Sequence, residues 1–217
     1  MFRALNNDKI GNILRYFAGC IPHLPSMKAI KLLFFLDQTA MAEKGVPVTW
    51  LEYKAWKFGP VPHSVWYELR HGVPAMDPHF GQCSLESYLD VSRYENEESG
   101  NIEITLEPKG PFVDDEFSNY ELALMERIVN EYGNLTGYQL SQLSHTPKGP
   151  WAKAVFAHRL HRRFEMGDST PDVTIDLADD LIDDERLAAY VAAKEAMETK
   201  IHFRLFANQH GQDTAKS

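Results

Sequence analysis

The stretch Ala29-Ile30-Lys31-Leu32-Leu33-Phe34-Phe35-Leu36-Asp37 constrains this chain more than any other. Ser26 can open a helix here, and Gly45 can close it as the residue just past its C-terminus. Apolar side chains then point nearly all round the middle of the helix. A helix of that kind is central and packed on several sides. Lys31 and Asp37 interrupt the apolar surface, so each needs a polar partner or a route to solvent. They are six residues apart and do not face each other on a helix. The run is also far too short to span a bilayer.

Other helices are expected around this one. Asp8 can cap a helix to about Ala18, with Ile10, Ile13, Leu14 and Phe17 at helical spacing. Pro62 suits the first position of a helix reaching Arg70. Ser118 and Glu121, then Thr136 and Gln139, have the spacing of two capping boxes. The first predicts a helix carrying Leu122, Met125, Ile128, Val129 and Tyr132, ended by Gly133. The second predicts a short helix with Leu140 and Leu143. Pro150 opens a helix with Trp151, Val155, Phe156 and Leu160. Asp183 can cap a long helix to about Phe206, and the residues from Asn208 look frayed.

Strands are few. Tyr53 to Phe58 is aromatic-rich and suits an extended segment stopped by Gly59-Pro60. Residues 71–81 read as a loop, because Gly72, Pro74, Pro78 and Gly81 break them. Leu85 to Tyr94 and Ile102 to Leu106 predict a hairpin across a polar connection. The expected fold is mainly α, a helix-dominated α+β arrangement with a small hairpin or short sheet. One compact unit is expected over 1–164, with an acidic linker, a C-terminal helix and a tail over 165–217.

Charge is unevenly placed. Between Glu165 and Glu198 eleven acids face two basic residues, which accounts for the whole net charge of −9. Just before it, Lys148, Lys153, Arg159, Arg162 and Arg163 stand with no acid among them. Two solvated faces that partly neutralise each other explain this, as does one face meeting a charged partner. Two cysteines, Cys20 and Cys83, form neither a metal-ligand spacing nor a disulfide framework. Asn6, Asn7 and Asp8 fall where a signal peptide needs an apolar run. A cytoplasmic protein without membrane insertion is the expectation.

Signatures of catalysis are missing. His71 and His79 flank Asp77, and His158 and His161 lie three apart, but a third ligand at recognisable spacing is absent. Neither a Gly-x-Ser-x-Gly elbow nor a glycine-rich phosphate loop occurs. The outline of residues 122–163, ending in a basic helix, allows a helix-turn-helix DNA-binding regulator as an alternative. The acidic chain and the Trp151 in the first turn of its last helix argue against that.

Two groups of residues carry a family likeness. One is Lys31-Leu32-Leu33-Phe34-Phe35-Leu36 with Tyr53-Lys54-Ala55-Trp56-Lys57-Phe58-Gly59-Pro60-Val61. The other is Leu143-Ser144-His145-Thr146 with Pro150-Trp151. Together they resemble the Panacea (SocA-like) antitoxin domain over roughly residues 8–160. The chain departs from that pattern in the order of Ser144, His145 and Thr146, and in Lys148-Gly149 before Pro150.

The resemblance implies a non-enzymatic antitoxin, without a cofactor, that binds and neutralises a co-encoded toxin. Some relatives also deliver the toxin to a protease. Lys31, Trp56, Gly59, Pro60, Val61, Pro150 and Trp151 are the expected partner-binding residues. Trp56 and Trp151 are either core anchors, with Gly59-Pro60 a turn, or the lining of a groove for the toxin. The acidic segment is a second expected contact surface.

Overall fold

The computed structural model describes residues 6–77, 81–97, 100–181 and 183–213. Helix α1 (Asn7–Cys20) leads through β1 (Leu24–Pro25) into α2 (Ser26–Lys44). Every residue from 28 to 37 is buried. A helix apolar all round therefore takes the central place, as its sequence requires. Gly45 ends α2 with φ 73°, a left-handed conformation in which glycine pays no steric penalty.

Next come β2 (Tyr53–Trp56), β3 (Gly59–Pro62) and α3 (His63–His71). Pro62 closes β3 and precedes α3 instead of beginning it. The segment expected to be loop contains two short paired strands, β4 (Ala75–Asp77) and β5 (Gly81–Cys83). A 3-10 turn (Leu85–Ser87) then precedes β6 (Leu89–Glu95), which pairs with β7 (Ile102–Pro108). The Leu85 end of the expected strand is thus helical, with the Ser84 side chain capping it.

Helices α4 (Asn119–Tyr132) and α5 (Gly137–Ser144) start at the two expected capping boxes, and both boxes are formed. The helix beginning at Pro150 is shorter than expected. It ends at Ala157 as α6 (Pro150–Ala157), and α7 (Leu160–Glu165) follows. Arg159 between them adopts φ 52°, which breaks the helical path. Beyond α7 the chain returns to the body as β8 (Thr174–Ile175), which pairs with β2. A 3-10 turn (Leu177–Asp180) leads to α8 (Asp184–Asp213), which continues past the expected fraying point. Asp183 caps it by accepting from the Arg186 N–H at 2.8 Å. His79 lies outside the described residues.

Two three-stranded antiparallel sheets, β1–β7–β6 and β3–β2–β8, flank the helices. The architecture is helix-dominated α+β, as expected. Helix α2 touches α3, α4, α5, α8, β1, β3 and β7. No helix among the described residues is long and apolar enough to cross a membrane.

Asp37 ties α2 to the loop before β2. Its fully buried carboxylate accepts from the Thr49 N–H at 2.8 Å, the Tyr53 hydroxyl at 2.8 Å and the Thr49 hydroxyl. Tyr53 in turn packs edge-on against Phe34, with ring centres 5.3 Å apart. Burial raises the Asp37 pKa from 3.8 to about 6, and these hydrogen bonds limit the rise. The folded pKa lies above the unfolded one. Asp37 therefore contributes stability that is fully present below pH 3.8 and lost as pH rises through about 6.

Urea unfolding at several pH values tests this. Asp37→Asn flattens the stability profile between pH 4 and 6, taken at about those limits. Asp37→Ala, which strands the donors, costs about 3–5 kcal/mol at all pH values. A profile unchanged by Asp37→Asn refutes the assignment.

Candidate functional site

Four pieces of chain meet at the two-residue turn between β2 and β3. In this hairpin Trp56 pairs with Gly59, which leaves Lys57 and Phe58 at the tip. Gly59 has φ 95°, a conformation that disfavours any residue with a Cβ. It also lacks room: a Cβ there would lie 2.5 Å from Ser144 Oγ and 2.6 Å from Lys31 Nζ.

Helix α2 brings Lys31 beneath the turn. Its Nζ donates to the Phe58 carbonyl at 2.8 Å and to the Pro60 carbonyl at 2.9 Å. Helix α5 supplies a second support: Ser141 Oγ donates to the same Phe58 carbonyl at 2.5 Å, and Ser144 Oγ donates to the Ser141 carbonyl at 2.7 Å. Helix α6 supplies a third, because Trp151 Nε1 donates to the Trp56 carbonyl at 2.9 Å. On the outer side the Lys57 N–H donates to the Ser169 carbonyl at 2.8 Å. Backbone groups that a tight turn would leave unpaired are thereby satisfied by side chains from distant segments.

His145 follows α5 and stacks on Trp151 at 3.8 Å between ring centres, with 16° between planes. Its buried Nε2 has no hydrogen-bond partner and lies 3.3 Å from the position a Gly59 Cβ would take. Burial, then the charge of Lys31, lowers the His145 pKa, so the ring favours its neutral form. Lys31 itself is 0% exposed, and burial pushes its pKa down to about 7. Carbonyl oxygens compensate its charge where a carboxylate would usually do so.

Hydrogen bonds thus join Lys31, Trp56, Pro60 and Trp151, with Gly59 among them. Val61 and Pro150 are buried alongside, in β3 and in the first turn of α6. Of the seven residues expected to bind a partner, only Trp56 is appreciably accessible. Its ring meets Trp66 at 4.8 Å and 81°. The other six are buried in the isolated chain.

Outward exposure falls on neighbours instead. Phe58 at the tip is 64% exposed, Tyr138 on α5 is 75% exposed and Met166 after α7 is 85% exposed. Leu143, expected as part of the apolar content of α5, is also exposed, whereas Leu140 is buried. Among the described residues no three His, Cys, Asp or Glu side chains gather as metal ligands. Sequence reasoning placed Ser144 and His145 in a motif but gave them no role. Ser141 carried no signal beyond standing one helical turn before Ser144.

Two substitutions test the clasp. Gly59→Ala forces a strained conformation that costs about 1–3 kcal/mol before any clash is counted, which lowers the melting temperature. Lys31 has a folded pKa of about 7, below its ordinary 10.5. Its contribution to stability is therefore complete above pH 10.5 and is lost as pH falls through about 7. Lys31→Met abolishes that rise of stability across the window, measured by denaturant unfolding. An unaltered rise shows that another group causes it.

Residues 30–152 match the family model described as antitoxin SocA-like, Panacea domain. That segment contains α2 from Ile30 onward, both strands of the hairpin, α5 and the start of α6, and so every side chain of the clasp. No curated protein and no solved structure gives a match. With more than half its length matched, and with the matched residues building one hydrogen-bonded centre, the chain belongs to the SocA-like Panacea domain family of antitoxins.

Proposed function

We propose that this protein neutralises a cognate toxin by direct, stoichiometric contact, and that the clasp supports the contact surface. The observation that carries the reading is the position of Phe58. A turn braced by side chains from α2, α5 and α6 holds a large apolar side chain 64% exposed to solvent. A water-facing aromatic held this firmly suits entry into a partner, because a preorganised anchor loses little freedom on binding.

The surface around it suits a protein partner. Ser141 connects the tip to α5, where Tyr138 is 75% exposed, and Ser169 connects it to the segment after α7, where Met166 is 85% exposed. Three segments that meet at the turn thus each carry an exposed apolar side chain. Lys31, Gly59, Pro60, Val61, Pro150 and Trp151 act from beneath it, and Trp56 reaches its flank. Such a patch serves as the core of an interface of ordinary size, roughly 1,200–2,000 Å².

Co-expression with the product of the neighbouring gene tests the proposal. The native protein restores growth and co-purifies with the toxin. Phe58→Asp and Tyr138→Asp, both exposed and expected to leave the melting temperature within about 2 °C, each abolish rescue and weaken binding at least tenfold. Toxin abundance then separates two modes. Stable levels mean sequestration, and levels that fall with the antitoxin present mean delivery to a protease. Full rescue by both well-folded variants removes the tip as the contact surface.

A further inference from the structure

On the flank of the hairpin lies a cleft of about 530 Å³, lined by Lys54, Trp56, His63, Trp66, Thr170 and Asp172. The volume suits one large side chain or a small ligand. One wall is aromatic. Trp56 and Trp66 meet nearly at right angles, and His63 lies 6.0 Å from Trp56 and 5.9 Å from Trp66. The other wall is polar, made by Thr170 and the Lys54–Asp172 ion pair.

The polar wall is already partly engaged, and the manner is informative. Lys54 Nζ donates to Thr174 Oγ1 at 2.9 Å and pairs with Asp172 Oδ1 at 2.6 Å. Its ammonium is thus held against β8, with the side chain only 21% exposed. Asp172 is 88% exposed, so its carboxylate keeps accepting capacity toward the cleft. An anion entering would meet that carboxylate. A purely apolar group would displace water from the ion pair without replacing its hydrogen bonds. A planar cation satisfies both walls at once, stacking on indole while donating to a carboxylate.

The protein already uses such an arrangement within its own chain. Arg70 places its guanidinium over the Trp66 ring, 5.9 Å from the centroid. The same aromatic cluster therefore accepts a guanidinium at one point and presents an open cleft with a carboxylate at another.

We infer that the Trp56–Trp66–Asp172 cleft receives an arginine side chain of the protein partner. This deepens the toxin-docking reading and rests on it for the partner's identity. The cleft lies on the flank of the same braced hairpin whose tip carries Phe58, and Thr170 adjoins the Ser169 that holds Lys57. An arginine reaching into the cleft would fix the orientation of a partner seated on the tip. Its recognition by both a ring face and a carboxylate distinguishes it from lysine, whose compact ammonium lacks the planar fork.

The chemistry is testable without a toxin. The full-length protein is titrated with N-acetyl-arginine methylamide, and the four tryptophan indole N–H signals are followed by NMR. The expected result is a saturable shift of the Trp56 and Trp66 signals with Trp50 unmoved. Binding is about tenfold weaker for the neutral isostere citrulline and for Asp172→Asn. Equal binding of arginine and citrulline, no effect of Asp172→Asn, or no shift at either cleft indole overturns the inference.

Co-expression then addresses the partner. Asp172→Asn lowers toxin affinity about tenfold, and undiminished affinity overturns the assignment to the toxin's arginine. If the neighbouring product is not toxic or does not bind, the toxin reading fails by itself. The NMR result is independent of that outcome.

Discussion

The burial of Lys31 without a carboxylate partner is the constraint on which this structure turns. A charged amine deep in a protein is costly unless its donors are used. Here the carbonyls of Phe58 and Pro60 use them. Those carbonyls point inward only because Gly59 permits the hairpin to turn with φ 95°. Glycine is needed for conformation and for room, since Lys31 and Ser144 leave no space for a Cβ. The lysine, the glycine and the serine helix thus depend on one another. Moving any of them strands a polar group in the others.

Asp37 repeats the logic at the far end of the same buried stretch. Six residues after Lys31 along α2, it secures Thr49 and Tyr53 where Lys31 secures the hairpin. The apolar helix supplies the packing energy, while Lys31 and Asp37 fix which loops lie against it and in what register. Buried polar groups of this kind serve uniqueness of structure more than net stability. Their opposite pKa shifts follow from the same cause, because burial disfavours the charged form of each.

Much of this was legible in the sequence, for local reasons. The run from Ala29 to Leu36 announced a central helix, and Ser118 with Glu121 and Thr136 with Gln139 announced the starts of α4 and α5. Such signals operate over a few residues and survive into the fold. What was not legible is non-local or conformational. Lys31 asked for a partner, but nothing nearby named carbonyls 27 and 29 residues away. Arg159 breaks a helix from a left-handed conformation that arginine does not advertise. Thr174-Ile175 becomes a strand only because β2 lies beside it. The motif residues meet at one turn, but their spacing could not tell burial from exposure. Phe58, one residue before Gly59 and now the outward-facing member, gave no sign that distinguished it from its neighbours.

The return of the chain as β8 has a consequence for how far the family domain can stand alone. The match to the family ends at residue 152, yet β2 is bonded along its outer side by residues beyond it: Ala55 donates to the Val173 carbonyl and Lys57 to the Ser169 carbonyl. A fragment cut at the end of the match would leave this side of the hairpin as an open edge strand. Unpaired N–H and C=O groups would face water beside the half-buried Trp56, the arrangement that invites sheet extension between molecules. The segment that lies outside the matched residues is thus the chaperone of the hairpin within them.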